Sequence, residues 1–367
     1  MKNKVLLVFL MLMALFIPAC KSKINTAAPG AVPPHWQPVG QADFSAGQTE
    51  FESLFVYNGT PYVEYQDEAN NNRATVMQYN GENWTAVWNP GISASFTYYE
   101  SLYVYNGTPY AAYLDCGNGC NSTVMEYTGV SWTAVGNPGF SHGGNFTSLF
   151  VYNGTPYAAF QDDAYGSAAS VMTYNGVSWT VVGNEGFSQG WSAYTSLNVY
   201  NGIPYVAYED GANNDAATVM EYNGNAWVPV GATGISAGAA YYESLYIYNG
   251  TPYLAYEDGA NSNRATVLKY NGSKWVTIGT AGFSKGGTGW ESLYVYNGTP
   301  YLAYEDGANG GEAAVMEYDG SAWIPVGKQG FSAGTVNYVS LFVYNGTPCV
   351  AYQDGANNNM ATVMEYK

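Results

Sequence analysis

Histidine is nearly absent from this sequence: His35 and His142 are the only two in 367 residues, too few for a histidine-based metal centre or a catalytic triad. Charge is also scarce, at 11% of residues, and basic charge is scarcer, with 11 Lys and Arg against 28 Asp and Glu for a net −17. That balance excludes nucleic acid as a partner and favours solubility and attraction of cations or basic surfaces. No apolar run reaches transmembrane length, and no stretch of a repeat is long enough for a helix pair. What is present is 47% hydrophobic residues with 44 Gly and 36 Tyr. This mixture suits short strands joined by tight turns, because glycine weakens helices and aromatic residues favour pleated sheet.

The first 20 residues combine Lys2 and Lys4, an apolar run from Val5 to Phe16, and Ile17-Pro18-Ala19-Cys20. The run reads as a secretion signal. Its end resembles the lipobox of bacterial lipoproteins, with Pro18 as a departure. The resemblance implies cleavage before Cys20, lipidation of that cysteine and, with Lys21 following, an outer-membrane or cell-surface destination. Residues 21–34, ending in Ala-Pro-Gly-Ala-Val-Pro-Pro, are expected to form a flexible tether, and residues 35–367 the folded part.

Two landmarks recur seven times at steps of 47 or 48 residues. One is Asn-Gly-Thr-Pro, beginning at Asn58, Asn106, Asn153, Asn201 (Ile203 replacing Thr), Asn249, Asn297 and Asn345. The other is a tryptophan at 36, 84, 132, 179, 227, 275 and 323. Each repeat divides into four β-like runs, in the first copy A (Ser53 to Tyr57), B (Pro61 to Gln66), C (Ala74 to Tyr79) and D (Trp84 to Val87). Asn-Gly pairs join A to B and C to D, where hairpin turns need positive φ. The expected fold is therefore all-β, a seven-bladed β-propeller with four antiparallel strands per blade. The first landmark is a lone D strand at Trp36, and the last repeat stops after strand C, so the N-terminal strand is expected to complete blade seven and close the ring. With a Tyr on strand C and a Trp on strand D, the units resemble kelch-type propeller repeats, with Asp-Gly in place of the Gly-Gly doublet. The resemblance implies fold only.

Antiparallel order puts the short Asn-Gly turns on one face and the longer B–C and D–A loops on the other, where a ligand site is expected. The first recurring feature of that loop face is an aspartate ending strand B: Asp67, Asp115, Asp162, Asp210, Asp258, Asp306 and Asp354. Its leading reading is a turn in which the carboxylate accepts backbone N–H groups; the alternative is a weak cation site, calcium being the candidate. No other cofactor is expected. The second is an aromatic residue two before each strand-A serine: Phe51, Tyr99, Phe146, Tyr194, Tyr242, Trp290 and Tyr338. It is either blade packing or a ring of platforms at the mouth of the central channel. An incomplete acidic ring, Glu52, Glu100, Glu243 and Glu291, follows it, with Thr147, Thr195 and Val339 in the other blades. The third is a Phe/Ile-Ser-x-Gly run after each D strand, most simply an apolar plug and a turn. Variable residues after it, Phe96 and Trp191 among them, could build a partner surface.

Cys116 and Cys120 flank Gly-Asn-Gly in one B–C loop and could form a small disulfide in an oxidising compartment, while Cys349 is expected to be a buried, unpaired core residue. Near-identical blades, no Gly-x-Ser-x-Gly elbow and no Asp-box of the sialidase kind lead to an expectation of no enzymatic activity. The expected function is that of an envelope or cell-surface lipoprotein that binds a protein or glycan on its loop face. The expected state is monomeric, held to the membrane by the N-terminal lipid only. Alternatives are an assembly scaffold of the envelope or, less favoured, a propeller hydrolase.

Overall fold

A computed structural model describes residues 33–367. The signal segment 1–20, Cys20 and residues 21–32 of the expected tether lie outside the described residues. From Trp36 to Tyr366 the chain forms 28 strands in seven four-stranded antiparallel sheets. In blade one, strand A is Thr49–Tyr57, B is Thr60–Asp67, C is Arg73–Tyr79 and D is Trp84–Ala86. Strand A is thus longer than the sequence suggested, because it continues through an irregularity before Ser53. The expected seven-bladed propeller is what the chain forms, and the N-terminal strand Trp36–Pro38 pairs with Met360–Tyr366 as the outer strand of the seventh blade. Reciprocal backbone bonds between His35 and Lys367 extend that pairing.

The core is seven apolar layers, each shared by two successive blades. Strand B is buried on both alternations, as expected of a sheet sandwiched between neighbours: Val63, Tyr65, Val206, Tyr208, Leu302 and Tyr304 are almost wholly inaccessible. Two hydrogen-bond devices stitch the blades and a third ties each D–A loop to the blade it leaves; together they account for the repeating residues. The Trp84 indole N–H donates to the Val39 carbonyl at 2.7 Å, and each later tryptophan does the same to the blade before it. Trp36 donates to Val326 and closes that circuit. The serine of each strand A accepts the leucine N–H of the next blade, Leu102 to Ser53 and onward until Leu54 to Ser340. The Ser of Phe/Ile-Ser-x-Gly accepts a strand-C N–H and donates to a carbonyl two residues on, as Ser93 does with Ala74 and Ser95. The residue before it covers the next tryptophan: Phe44 stacks on Trp84 at 4.2 Å. That motif is a plug and a turn.

Candidate functional site at the mouth of the central channel

In every blade the pairing of strands A and B slips by one residue just before the serine. In blade one Glu50 pairs with Gln66 and Ser53 with Glu64, so Phe51 and Glu52 together oppose Tyr65. This is a β-bulge, and its first residue takes left-handed backbone, a conformation usually left to glycine. Here an aromatic residue holds it in all seven blades, with φ between 49° at Tyr194 and 60° at Phe51. The bulge turns each aromatic side chain towards the axis. The seven form a closed ring: centroids of successive members are 5.1 Å apart from Phe51 to Tyr99 and 4.7 Å from Tyr194 to Tyr242. Tyr338 returns to Phe51 at 4.6 Å.

The second bulge residue points under this ring. Glu52, Glu100, Glu243 and Glu291 are buried there with Thr147, Thr195 and Val339, and all fourteen bulge residues line one cavity of about 480 Å3. The structure therefore brings together every residue of the aromatic and acidic sets read from the sequence. A threonine three residues earlier holds one oxygen of three of the glutamates: Thr49 donates to Glu52, Thr97 to Glu100 and Thr288 to Glu291. In blade five that position is Ala240, and neither carboxyl oxygen of Glu243 has a partner. The second oxygens of Glu52, Glu100 and Glu291 are equally buried and unpartnered. Desolvation by burial dominates their acidity, partly offset by the threonine hydroxyls, and pushes Glu52, Glu100 and Glu291 up to about 8. Glu243 is held well above the usual carboxylate range by the same burial and by Glu209 and Glu291 nearby. At neutral pH the mouth thus holds carboxylic acids, and no Lys, Arg or His is among its lining residues.

A second aromatic tier, Phe55, Tyr103, Phe150, Tyr246, Tyr294 and Phe342, lies further along strand A, with neighbours 4.8–4.9 Å apart. It is interrupted in blade four, where Asn198 stands. The period-two spacing from Ser53 to Phe55 could have revealed this tier.

The strand-end aspartates do not enter the cavity. Asp115 accepts the Gly117 N–H at 3.0 Å, the Asn118 amide at 2.7 Å and the Thr123 hydroxyl at 3.1 Å, capping a short 3-10 turn. Five further blades use their aspartate as the N-cap of the same turn, whereas Asp67 lacks the N–H bond and leaves one oxygen unpartnered. Among the described residues no three His, Cys, Asp or Glu side chains converge on a metal position. Cys116 and Cys120 are disulfide-bonded; Cys349 is buried and free, its thiol pushed up to about 12 by burial.

Two findings change the expectations. The Asn-Gly face is not featureless: grooves of about 520 and 510 Å3 open there between blades five and six and between blades two and three. Their walls are the Tyr253–Lys269 and Tyr110–Glu126 side chains of one blade against the turns of the next. The blades are also not equivalent at the axis. Glu64, wholly inaccessible and with neither carboxyl oxygen partnered, occupies the strand-B position held by Ala112, Ala159, Ala207, Ala255, Ala303 and Ala351 elsewhere. The sequence reading passed over it, although an acid among six alanines was a visible signal.

No protein-family model matches the chain, and no curated protein matches it in sequence. Solved structures do share its fold. One is a polysaccharide lyase, an ulvan lyase bound to -[GlcA(1-4)Rha3S]-, with a TM-score of 0.58 and 14% identity over 88% of this chain and 94% of that one. A sialidase of Trypanosoma rangeli in complex with the inhibitor DANA gives 0.51 and 10% identity, covering 91% of this chain and 59% of its own. A protein of unknown function from Dyadobacter fermentans gives 0.52 and 12%, covering 90% and 99%. At such identities the likeness concerns the fold alone. It nevertheless overturns the expectation that the chain is not an enzyme. That expectation rested on repeated blades offering no singular constellation, whereas two of these propellers are glycan-cleaving enzymes, and Glu64 breaks the repetition here.

Proposed function

We propose that the protein is a glycan-active propeller enzyme that receives a neutral saccharide at the channel mouth and cleaves a glycosidic bond with its buried carboxyl groups. The observation that carries this reading is the closed aromatic ring standing over four buried glutamates with unpartnered oxygens. Aromatic faces suit the C–H faces of sugar rings, and the orphaned oxygens suit hydroxyl groups, which are short of neither donors nor acceptors. Seven aromatic residues kept in left-handed backbone, at about 1 kcal/mol each, are the kind of local strain that accompanies binding sites.

The chemistry follows from acidity. Glu52 and Glu100 sit on adjacent blades, as do Glu243 and Glu291, and within each pair ionisation of one member opposes that of the other. Near pH 8 one carboxyl of the Glu52–Glu100 pair keeps its proton while its neighbour has lost one, the division of roles that glycoside hydrolysis requires. The protonated member donates to the glycosidic oxygen as the C–O bond breaks and its electron pair passes to that oxygen. The ionised member takes a proton from the water that bonds to the anomeric carbon, so the elements of one water are added across the bond. A neutral substrate follows from the lining: no cation is there to meet a uronate, sulfate or sialate group. The ulvan lyase and the sialidase thus share the fold, but the ligands bound to them do not match this mouth.

The test is a panel of neutral and acidic polysaccharides scored for new reducing ends and, separately, for the ultraviolet absorbance of an eliminated uronate. New reducing ends from a neutral glycan, greatest near pH 8 and lost in Glu100→Gln by about 100-fold, are expected. Cleavage of acidic glycans alone would reject the neutral-substrate reading. We propose in addition that Cys20 carries lipid and holds the propeller at the bacterial outer membrane or cell surface. Palmitate labelling that persists in Cys20→Ser would reject this.

A further inference from the structure

The four mouth glutamates are not interchangeable, because the surroundings of blades one and two differ from the rest in two unrelated ways. The first is Glu64. By register it lies opposite Ser53 of the innermost strand, in the layer between blades one and two where the other six interfaces have alanine. It is buried without a hydrogen-bond partner, and its ionisation is opposed first by burial and then by Glu100. Such a group costs stability and contributes no contact in return. The second is an exposed aromatic track. Phe96 and Tyr98 are 41% and 36% exposed, with centroids 5.9 Å apart, and Tyr98 meets Phe51 of the ring edge-on at 6.0 Å and Tyr99 at 6.4 Å. The track therefore runs outward from the cavity without a break. At the position of Tyr98 the other blades carry Glu50, Asn145, Ala193, Tyr241, Gly289 and Asn337, and only blade five, with Ala239 at the position of Phe96, repeats the tyrosine.

We propose that the mouth works off its axis: a neutral glycan chain runs out of the cavity over Tyr98 and Phe96, its scissile bond lies beside Glu52 and Glu100, and Glu64 is the positioning residue behind Glu100. This inference rests on the glycan reading above and specifies its substrate as an extended chain. The exposed rings supply one or two further sugar-stacking positions, which a monosaccharide would not use. Glu64 acts through Glu100. When Glu100 has given its proton to the leaving oxygen, its negative charge makes ionisation of Glu64 harder, so Glu64 stays neutral behind the spent acid and adds no second charge there, and Glu100 recovers its proton from the one Glu52 has taken from water. The groups around Glu100 are Glu50 and Glu52 on strand A of blade one, Glu64 on strand B of blade one, Tyr113 on strand B of blade two, and Tyr338 across the ring. None is a cation; what favours the ionised form of Glu100 is the Thr97 hydroxyl and its own backbone N–H.

Steady-state cleavage and melting of the whole chain test this with neutral hexasaccharides and the matching disaccharides as probes. Phe96→Ala and Tyr98→Ala should each raise KM for the hexasaccharide by up to about tenfold, with kcat and disaccharide binding unchanged. Tyr165→Ala, an equally exposed aromatic on blade three, should change neither. Glu64→Ala supplies the residue of the other six blades and should melt higher than the parent, yet lower kcat by roughly tenfold at unchanged KM. Glu64→Gln, which keeps a donor, should recover part of that loss. If the parent cleaves the hexasaccharide and all these variants match it, the off-axis assignment is wrong while the glycan reading stands. If Glu64→Ala melts higher with full turnover, Glu64 has no part in the reaction. Failure of the parent to bind or cleave any neutral glycan removes both readings.

Discussion

The carboxyl groups at the mouth set how the fold responds to pH. Burial raises Glu52, Glu100 and Glu291 to about 8 in the folded protein, whereas the unfolded chain releases the same protons near 4.5. Between those values the folded state binds more protons than the unfolded one, so stability falls as pH rises. Each group contributes a slope of about 1.4 kcal/mol per pH unit, full stability being present below 4.5 and the loss complete above about 8. Melting temperature should therefore drop from pH 5 to pH 8. Glu100→Gln, which cannot ionise, should flatten the slope, gaining most over the parent at pH 8 and nothing near pH 4.5. A parent protein whose melting is insensitive to pH over this range would show that these carboxyls are hydrated.

At the level of the strand and the blade, the repeated residues separate into those that build interfaces and those that build the mouth. Trp132 illustrates the first kind: its indole N–H reaches the Val87 carbonyl of the preceding blade at 2.8 Å, and its ring is buried in the layer between blades one and two. Trp132→Phe keeps most of the apolar volume but orphans that carbonyl, and should cost about 1–2 kcal/mol in denaturant unfolding. Trp132→Ala also opens a cavity and should cost about 3–5 kcal/mol. A phenylalanine variant as damaging as the alanine one would mean that the bond, and not the volume, dominates. The tryptophans and Asn-Gly turns were legible in the sequence because each does one job at a fixed offset. The bulge was not, since nothing in Phe51-Glu52 or Tyr99-Glu100 announces left-handed backbone at a bulky residue; only pairing with strand B imposes it. The aromatic and acidic sets were found by recurrence alone. Glu64, by breaking recurrence, escaped the same method.

For the molecule as a whole, closure is the step on which the rest depends. Seven interfaces arise only if blade seven is complete, and its outer strand is supplied from the other end of the chain by Trp36, Gln37 and Pro38 pairing with Tyr366, Glu365 and Met364. That strand is short, but its contribution exceeds three residues of ladder. Trp36 donates to Val326 and stacks on Phe331 at 4.0 Å, and Val39 joins the layer between blades seven and one. The contacts span almost the full sequence, so the loop-closure entropy they require is met once and then holds every interface in register. Removing residues 36–40 should therefore lower the melting temperature of the entire ring in a single transition, by more than Trp132→Phe does. It should also leave strand Met360–Tyr366 as an open edge that promotes association at high concentration. A disulfide-free peptide spanning residues 33–44, added in trans, should restore part of the melting temperature, because the missing strand enters from outside the ring. If the truncated protein melts normally as a monomer, the propeller does not depend on this strand, and the aromatic ring at the channel mouth, which needs all seven blades to close, would have to be held by the six remaining complete sheets.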